Sequence, residues 1–413
     1  MLKRRISGVL TLFLLVSFSL VPQRVQGEIF EYKHRAGDKY RILSVVKQDV
    51  FVNNILSHRA EILNRIAVEV LDVKDGKGLH KAVFQTSERI MYDLSNFRLQ
   101  SSVSGYHWAR EYESVFERDK LGYITIDPKY YMPVVRNVPV FPDKNLALSE
   151  RWSAEGHEVH DFRDAFGIPD PYRIPFNANY QYVGHRLWKG RLYPAFSINY
   201  RIDSQPPAVR GRIWPRRITG VFEQMVYWDR SQGQAIAYDE NYQIIFDMSD
   251  GRRIEYRGTA EAEFLESEIM DREQLVQEII DEINRLEIDD VNVRLVDEGI
   301  SISMEDIGFY ADSAVMLPGE REKLDKIAEI LKRYPSRDIV VSGHTALAGT
   351  SERRMKLSID RAQAVTDFLL TRNVRSADRI VIRGYGAEKP IADNNTEEGM
   401  RRNRRVEITI LEN

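Results

Sequence analysis

Few residues in this chain have both the type and the spacing to do chemistry. His157-Glu158-Val159-His160-Asp161 gathers good zinc-ligand types. The spacing misses His-Glu-x-x-His by one, and in an extended strand His157 and His160 would point to opposite faces. A structural zinc site needs four ligands, and no other cluster is visible, so no metal site is assigned. Gly384-Tyr385-Gly386 follows a strand pattern, but Ala387-Glu388-Lys389-Pro390 after it cannot open a phosphate-cradling helix. Cysteine is absent, which excludes disulfides, thiolate metal sites, a Cys nucleophile and thioether lipidation of an N-terminal cysteine. No Ser-His-Asp order, paired carboxylates or Gly-rich loop stands out. We therefore assign no catalytic residue and no cofactor, and read the chain as non-enzymatic, with residues 28–266 the part where an unseen arrangement could still act.

Two further groups have bland explanations. Arg210, Arg212, Arg216 and Arg217 around Trp214 could dock an anionic polymer or a membrane surface, but such runs are more often solvated loops. The aromatic series from Tyr172 through Phe176, Tyr180, Tyr182 and Trp188 to Tyr193, Phe196 and Tyr200 could line a groove for sugar rings. Packing inside a β-domain explains it equally well.

The elements that would position such residues can be read from periodicity. The chain has 413 residues, 43% hydrophobic, enough for two or three cores at roughly 100–200 residues per domain. From Glu28 to about Phe264 apolar and polar residues alternate with period two, as in half-buried antiparallel strands. Ala60, Ile62, Ile66, Val68 and Val70 share one face and Arg59, Glu61, Arg65 and Glu69 the other; the turn Lys74-Asp75-Gly76-Lys77-Gly78 then leads into a second strand. Prolines cluster between about Tyr130 and Arg217, each removing a ladder donor, so central strands are not expected there. The expected division is 28–148, a β-rich domain; 149–266, a β-rich domain with proline-rich loops; 267–287, a linking helix; and 288–413, an α+β domain. In that last segment a hairpin around Asp297-Glu298-Gly299, a helix after Pro318, and later strand and helix patterns give β-α-β-α-β-β, two helices packed on one face of a mixed sheet.

Lys3, Arg4 and Arg5 precede an apolar stretch from Ile6 to Val21, and Val25-Gln26-Gly27 ends in a small residue, the pattern of a cleavable secretory signal over residues 1–27. The first 27 residues hold four basic and no acidic residues, leaving 55 basic against 62 acidic, a net of −7. That balance argues against a nucleic-acid binder.

The last ~125 residues, with Phe309 and Asp312-Ser313, Gly343-His344-Thr345, Gly349, Leu357-Ser358, Arg361-Ala362, Gly384-Tyr385-Gly386, Pro390, Asn394 and Asn403-Arg404-Arg405-Val406-Glu407, resemble the OmpA-like peptidoglycan-associating domain. The order and spacing are kept across the whole segment, about a third of the chain. With a signal peptide and a β-rich first half, the chain as a whole is similar to the OmpA-like envelope proteins of spirochaetes.

The resemblance implies a site for the diamino-acid residue of the peptidoglycan stem peptide, a zwitterion. In the family an Asp after Gly-His-Thr takes the ammonium and an Arg fifteen residues later takes the carboxylate, a pairing suited to a guanidinium fork. Here the Arg is Arg361, but position 346 is Ala346; Arg354 stands where the family usually has Asn. The implied ligand-binding positions are therefore Arg361, Arg404, Thr345 and Asn403, with the acid lost at Ala346 and a cation introduced at Arg354. Backbone amides near Ser351 would also favour an anion. His344 is expected to be a hydrogen-bonded structural residue, and Arg405 to extend its charge over the sheet edge. Expected partners are peptidoglycan, weakly held or lost, and other envelope proteins, in the periplasm or at the outer membrane. Two competing readings are an outer-membrane β-barrel with this domain beneath it, against which Asn64 and Asp72 interrupt the best strand, and a wall-targeted enzyme.

Overall fold

The structure, a computed structural model, describes residues 27–93, 106–266, 272–296, 298–305, 308–310, 312–335 and 337–411. Residues 1–26, on which the expected secretory signal falls, and residues 267–271 of the expected linking helix lie outside the described residues. In the β-rich half, β1 (Lys39–Val52), β2 (Ile55–Lys74), β3 (Lys77–Asp93) and β4 (Tyr106–Arg118) form an antiparallel meander, followed by the short β5 (Ile124–Ile126) and β6 (Val135–Arg136). Next come β7 (Arg151–His160), the four-residue helix α1 (Arg163–Phe166), β8 (Tyr172–Trp188), β9 (Arg191–Ser204), β10 (Pro215–Asp229), β11 (Gln234–Met248) and β12 (Arg253–Glu266).

β12 returns to β1, in register from Tyr40 opposite Glu266 to Val52 opposite Ile254. The antiparallel pairing therefore runs β7-β8-β9-β10-β11-β12-β1-β2-β3-β4. The stretches on either side of Leu148 share this one sheet. Among the described residues no ladder joins β4 or β5 to β6 or β7, so the sheet is open. Buried residues alternate with exposed ones along β9 and β10, with Ile198, Tyr200 and Ile202 inside and Arg201 and Asp203 outside. The inner face carries a core of rings in which Trp228, Phe196 and Tyr200 are almost fully buried, with Phe141 T-shaped to Trp228 at 4.7 Å.

One expectation needed correction here, and one pair of open alternatives is decided. Central strands were not expected in the proline-rich stretch, yet β8 and β9 are interior strands containing Pro175 and Pro194. Pro175 lies opposite His157 of β7, before β8 begins pairing with β9 at Asn179; Pro194 lies at the bulge between Tyr182 and His185 and outside the β9–β10 ladder. Each missing N–H thus faces a side with no ladder to break. The aromatic series that could have lined a sugar groove mostly packs the core: Phe176, Tyr180, Tyr182, Phe196 and Tyr200 all belong to it.

The C-terminal part opens with α2 (Arg272–Arg285), then β13 (Val291–Val296), β14 (Gly299–Glu305), α3 (Pro318–Lys332), β15 (Ile339–Gly343), α4 (Ser351–Thr371), β16 (Ile380–Gly384), α5 (Glu397–Asn403) and β17 (Arg405–Leu411). Its mixed sheet pairs β13-β14-β17-β15-β16, with β15 and β16 parallel. Leu324, Ile327, Ile330 and Leu331 of α3 and Ala362, Val365 and Leu369 of α4 are buried in one aliphatic cluster with the sheet. The expected order omitted α5. Seven residues are too few to show a helical stripe; the helix starts because the Thr396 side chain accepts from the Gly399 N–H.

The two parts are joined edge to edge. β4 pairs in parallel with β16 at Tyr106–Val381 and His107–Ile382. Arg65, buried on β2, donates from Nε to Asp338 at 2.9 Å and from Nη2 to the Asp378 carbonyl at 3.0 Å. No helix among the described residues is long and apolar enough to cross a membrane.

Candidate functional site

Three loops and one helix of the C-terminal domain converge at the ends of β15 and β16. Gly343 ends β15 against α4 so closely that a Cβ there would stand 1.9 Å from the Ser358 carbonyl oxygen, and only glycine allows that approach. The following Thr345 N–H donates to the Gly386 carbonyl at 2.8 Å, while Ser358 Oγ accepts from the Gly386 N–H at 2.9 Å. Gly343-His344-Thr345 and Gly384-Tyr385-Gly386 are thus laced to each other and to α4.

Ala346 follows, nearly buried, and its neighbour Leu347 donates its N–H to Asn394 Oδ1 at 3.0 Å. The Thr345 hydroxyl is buried with no hydrogen-bond partner among the described residues. α4 begins at the N-cap Thr350, whose side chain accepts from the Arg353 N–H. Arg354, one turn in, folds back to donate to the Gly349 carbonyl, and its Cβ is about 3.5 Å from where a Cβ on Gly386 would stand. The Arg354 cation therefore lies beside the same turn as Ala346.

Arg361, two turns further along α4, is only 8% exposed. Its guanidinium lies over Phe309 at 4.9 Å and donates from Nε to the Ser313 carbonyl at 3.1 Å, while its terminal nitrogens make no hydrogen bond to a described residue. Burial, then the neighbouring Arg404 guanidinium, pulls its pKa down from the ordinary value, and Asp312 opposes them. Among the described residues no carboxylate is bonded to Arg361 or to Arg404. This pair of cations, one guanidinium over a ring and another near it, suits an anionic group.

Asn403 plays a different part from the ligand contact expected of it. Its Oδ1 accepts from the N–H groups of Ile391 and Ala392, and its Nδ2 donates to the Ala392 carbonyl and Asn394 Oδ1. With both ends of its amide engaged, it positions the loop that in turn holds Leu347. Arg405 does not reach over the sheet edge. It is 2% exposed, bonded to Glu407 Oε1 at 2.7 Å and to the Lys389 carbonyl, because Glu407, two residues on, shares its face of β17. His344 is hydrogen-bonded through its backbone, whose N–H donates to the Arg405 carbonyl at 3.0 Å, while its ring stacks on Tyr385 at 5.0 Å with both nitrogens buried and without a hydrogen-bond partner among the described residues. Burial and Arg405 lower its pKa to about 3, so it is neutral and structural.

The segment around His157 is engaged elsewhere. His157 Nδ1 contacts Arg173 at 3.2 Å and His160 bonds Glu158 at 2.8 Å. Around Trp214 the four arginines are exposed, and Arg217 is paired with Asp203.

The family model described as "OmpA family" matches residues 308–404. Among curated proteins, the "Probable lipoprotein YiaD" of Escherichia coli is 38% identical over 121 residues, 29% of this chain and 55% of that one. The "Peptidoglycan-binding protein ArfA" of Mycobacterium tuberculosis is 38% identical over 104 residues, 25% of this chain and 32% of that one. "Outer membrane porin F" of Pseudomonas aeruginosa is 37% identical over 105 residues, 25% and 30% of the two chains. The matches thus span about half or less of these relatives. Among solved structures, a cell wall anchor from Pseudomonas aeruginosa is 30% identical and covers 35% of this chain and 100% of its own, with a TM-score of 0.30. An outer-membrane protein from Borrelia burgdorferi is 34% identical over 29% of this chain and 96% of its own, with a TM-score of 0.25.

Proposed function

We propose that this chain, whose residues 308–404 form an OmpA-family domain, is a non-enzymatic cell-envelope protein of the spirochaete type that meets peptidoglycan through a stem-peptide site altered to hold only the carboxylate end. The observation that carries this reading is Ala346 beside an intact cationic pair. Arg404 stands close enough to Arg361 to lower its pKa, no acid among the described residues is bonded to either, and the position that should receive an ammonium, Ala346, is apolar. Arg354 adds a further cation by the same turn. Losing one hydrogen bond to a charged group costs about 1.5–3 kcal/mol, about 10- to 100-fold in affinity, so the zwitterion is held weakly and a purely anionic group becomes the better ligand.

The β-rich half is then periplasmic, exported by a cleaved leader, and contacts another envelope component. Its open sheet and exposed outward charges such as Arg201, Asp203, Glu223 and Glu261 are unsuited to a lipid-facing barrel surface. Titration of soluble stem peptide into the full chain and into the Ala346→Asp/Arg354→Asn variant tests the site. The variant is expected to bind about 10- to 100-fold more tightly, and equal, tight binding by both proteins would refute the alteration. Co-sedimentation with purified sacculi, without release of soluble fragments, is the accompanying expectation for a wall-associating protein that is not an enzyme.

A further inference from the structure

The concave face of the β-rich half encloses a cavity of about 590 Å³, within the range of small-ligand sites. Its middle is apolar and in register: Ile42 of β1 lies opposite Ile66 of β2 and Phe264 of β12, Ile66 opposite Phe84 of β3, and Val68 opposite Ala82. The segment from Met132 to Pro139 supplies the facing wall, anchored where the Met132 carbonyl accepts from Ser114 at 2.8 Å and the Pro139 carbonyl from Tyr32.

The two ends differ in chemistry. At one end the polar groups satisfy each other: Thr86 donates to Asn64 at 3.0 Å and Gln224 to Glu240 at 2.7 Å. At the other stands Arg118, its guanidinium 4.9 Å from the Tyr32 ring and 5.7 Å from Phe116. Among the described residues no carboxylate pairs with it, and its Nε is buried without a hydrogen-bond partner. Asp119 next to it is spent on the N–H groups of Leu121, Gly122 and Tyr123. His34 and His80 line the same end, and His34 Nε2 is likewise buried and unpartnered. A buried donor on a cation costs free energy until an acceptor arrives.

We propose that this cavity binds a single-chain amphiphile with an anionic head, its apolar tail over Ile66, Val68 and Phe84 and its head on Arg118. A fatty-acid carboxylate and a lysophospholipid phosphate share that chemistry. The test is calorimetric titration of the full chain with oleate, lysophosphatidylglycerol and the uncharged monoolein. Oleate, lysophosphatidylglycerol or both bind saturably at one site and at least about tenfold more tightly than monoolein, and which of the two is preferred assigns the source of the head. Arg118→Gln, at a half-buried position, abolishes that preference while monoolein binding persists; Ala82→Trp, which fills the apolar middle, abolishes binding of all three. Where Ala82→Trp loses its circular-dichroism signature, Arg118→Gln alone decides. Absence of saturable binding by any probe, or an anionic preference unchanged in Arg118→Gln, overturns the proposal.

Discussion

Replacing Arg65 by alanine tests how the two parts of the molecule are held together. The side chain is 7% exposed and bridges β2 to Asp338 and to the Asp378 carbonyl. Breaking a buried ion pair by removing one partner costs about 3–5 kcal/mol, chiefly because the other charge is left buried. Here Asp338 keeps a second partner, Arg379, at 2.7 Å, so the cost falls at the lower end, about 3 kcal/mol. The β4–β16 ladder beside it is two residue pairs long, and each part has a separate core, aromatic in one and aliphatic in the other. The loss should therefore be felt as uncoupling. Scanning calorimetry of the parent is expected to show one transition and of Arg65→Ala two, the earlier displaced downward by about 6–12 °C at the usual 2–4 °C per kcal/mol for units of this size. Asp338→Asn, which takes the carboxylate from both buried Arg65 and part-exposed Arg379, should cost more. A variant that still unfolds in one step, within a degree of the parent, would refute the claim that this pair couples the halves.

Two other perturbations have definite signs. His80, His157 and His344 are buried, and burial followed by a nearby guanidinium (Arg118, Arg173 and Arg405 respectively) lowers their pKa values to about 3, about 4 and about 3. The unfolded chain takes up a proton at each near pH 6.5 and the folded protein does not, so stability falls on acidification below about pH 6.5, by up to about 1.4 kcal/mol per pH unit for each histidine. Glu240 works in the opposite sense. Its carboxyl is raised by burial to about 7, so its contribution is present at low pH and lost as pH rises from about 4.5 through about 7, offsetting one histidine. Urea midpoints should drop between pH 7 and pH 5, and a flat or rising profile would contradict the burial of the three rings. Separately, Gly343→Ala places a methyl on the Ser358 carbonyl, and α4 cannot retreat because Ser358 also holds the Gly386 N–H. A loss of about 3 kcal/mol or more in urea unfolding is expected, and a loss below about 1 kcal/mol would show that the helix gives way.

What the sequence disclosed, and what it hid, divides by the range of the interaction. The turn Asp75-Gly76, the hairpin of β13 and β14 and the helix α3 after Pro318 depend on neighbours within a few residues, and each stands where the local pattern places it. The pairing of β1 with β12 joins residues about 200 positions apart, and alternation carries no mark of which strand lies alongside. The prolines misled for a related reason: a missing N–H matters only on a side where a ladder exists, and Pro175 and Pro194 have none there. At the C-terminal site, residue types were legible because Gly343, Arg361 and Asn403 each meet a strict local demand, yet their roles were not. The apparent ligand Asn403 is consumed by its own loop, and Arg405, apparently free, is buried against Glu407.

Asn64 shows how such a residue misleads and then informs. Along β2 it reads as a defect in an apolar face, which argued against a membrane barrel but offered no purpose. In the folded sheet it lies directly opposite Thr86 and bonds to it, closing the polar end of the cavity. Arg118 at the far end carries no partner of that kind. A polar residue on an inward face is thus explained only when its cross-strand neighbour is known. Among the buried polar groups that lack a hydrogen-bond partner among the described residues, Arg118 Nε in the β-rich half and the Thr345 hydroxyl in the C-terminal domain are two that border a candidate site, where a ligand has something to satisfy.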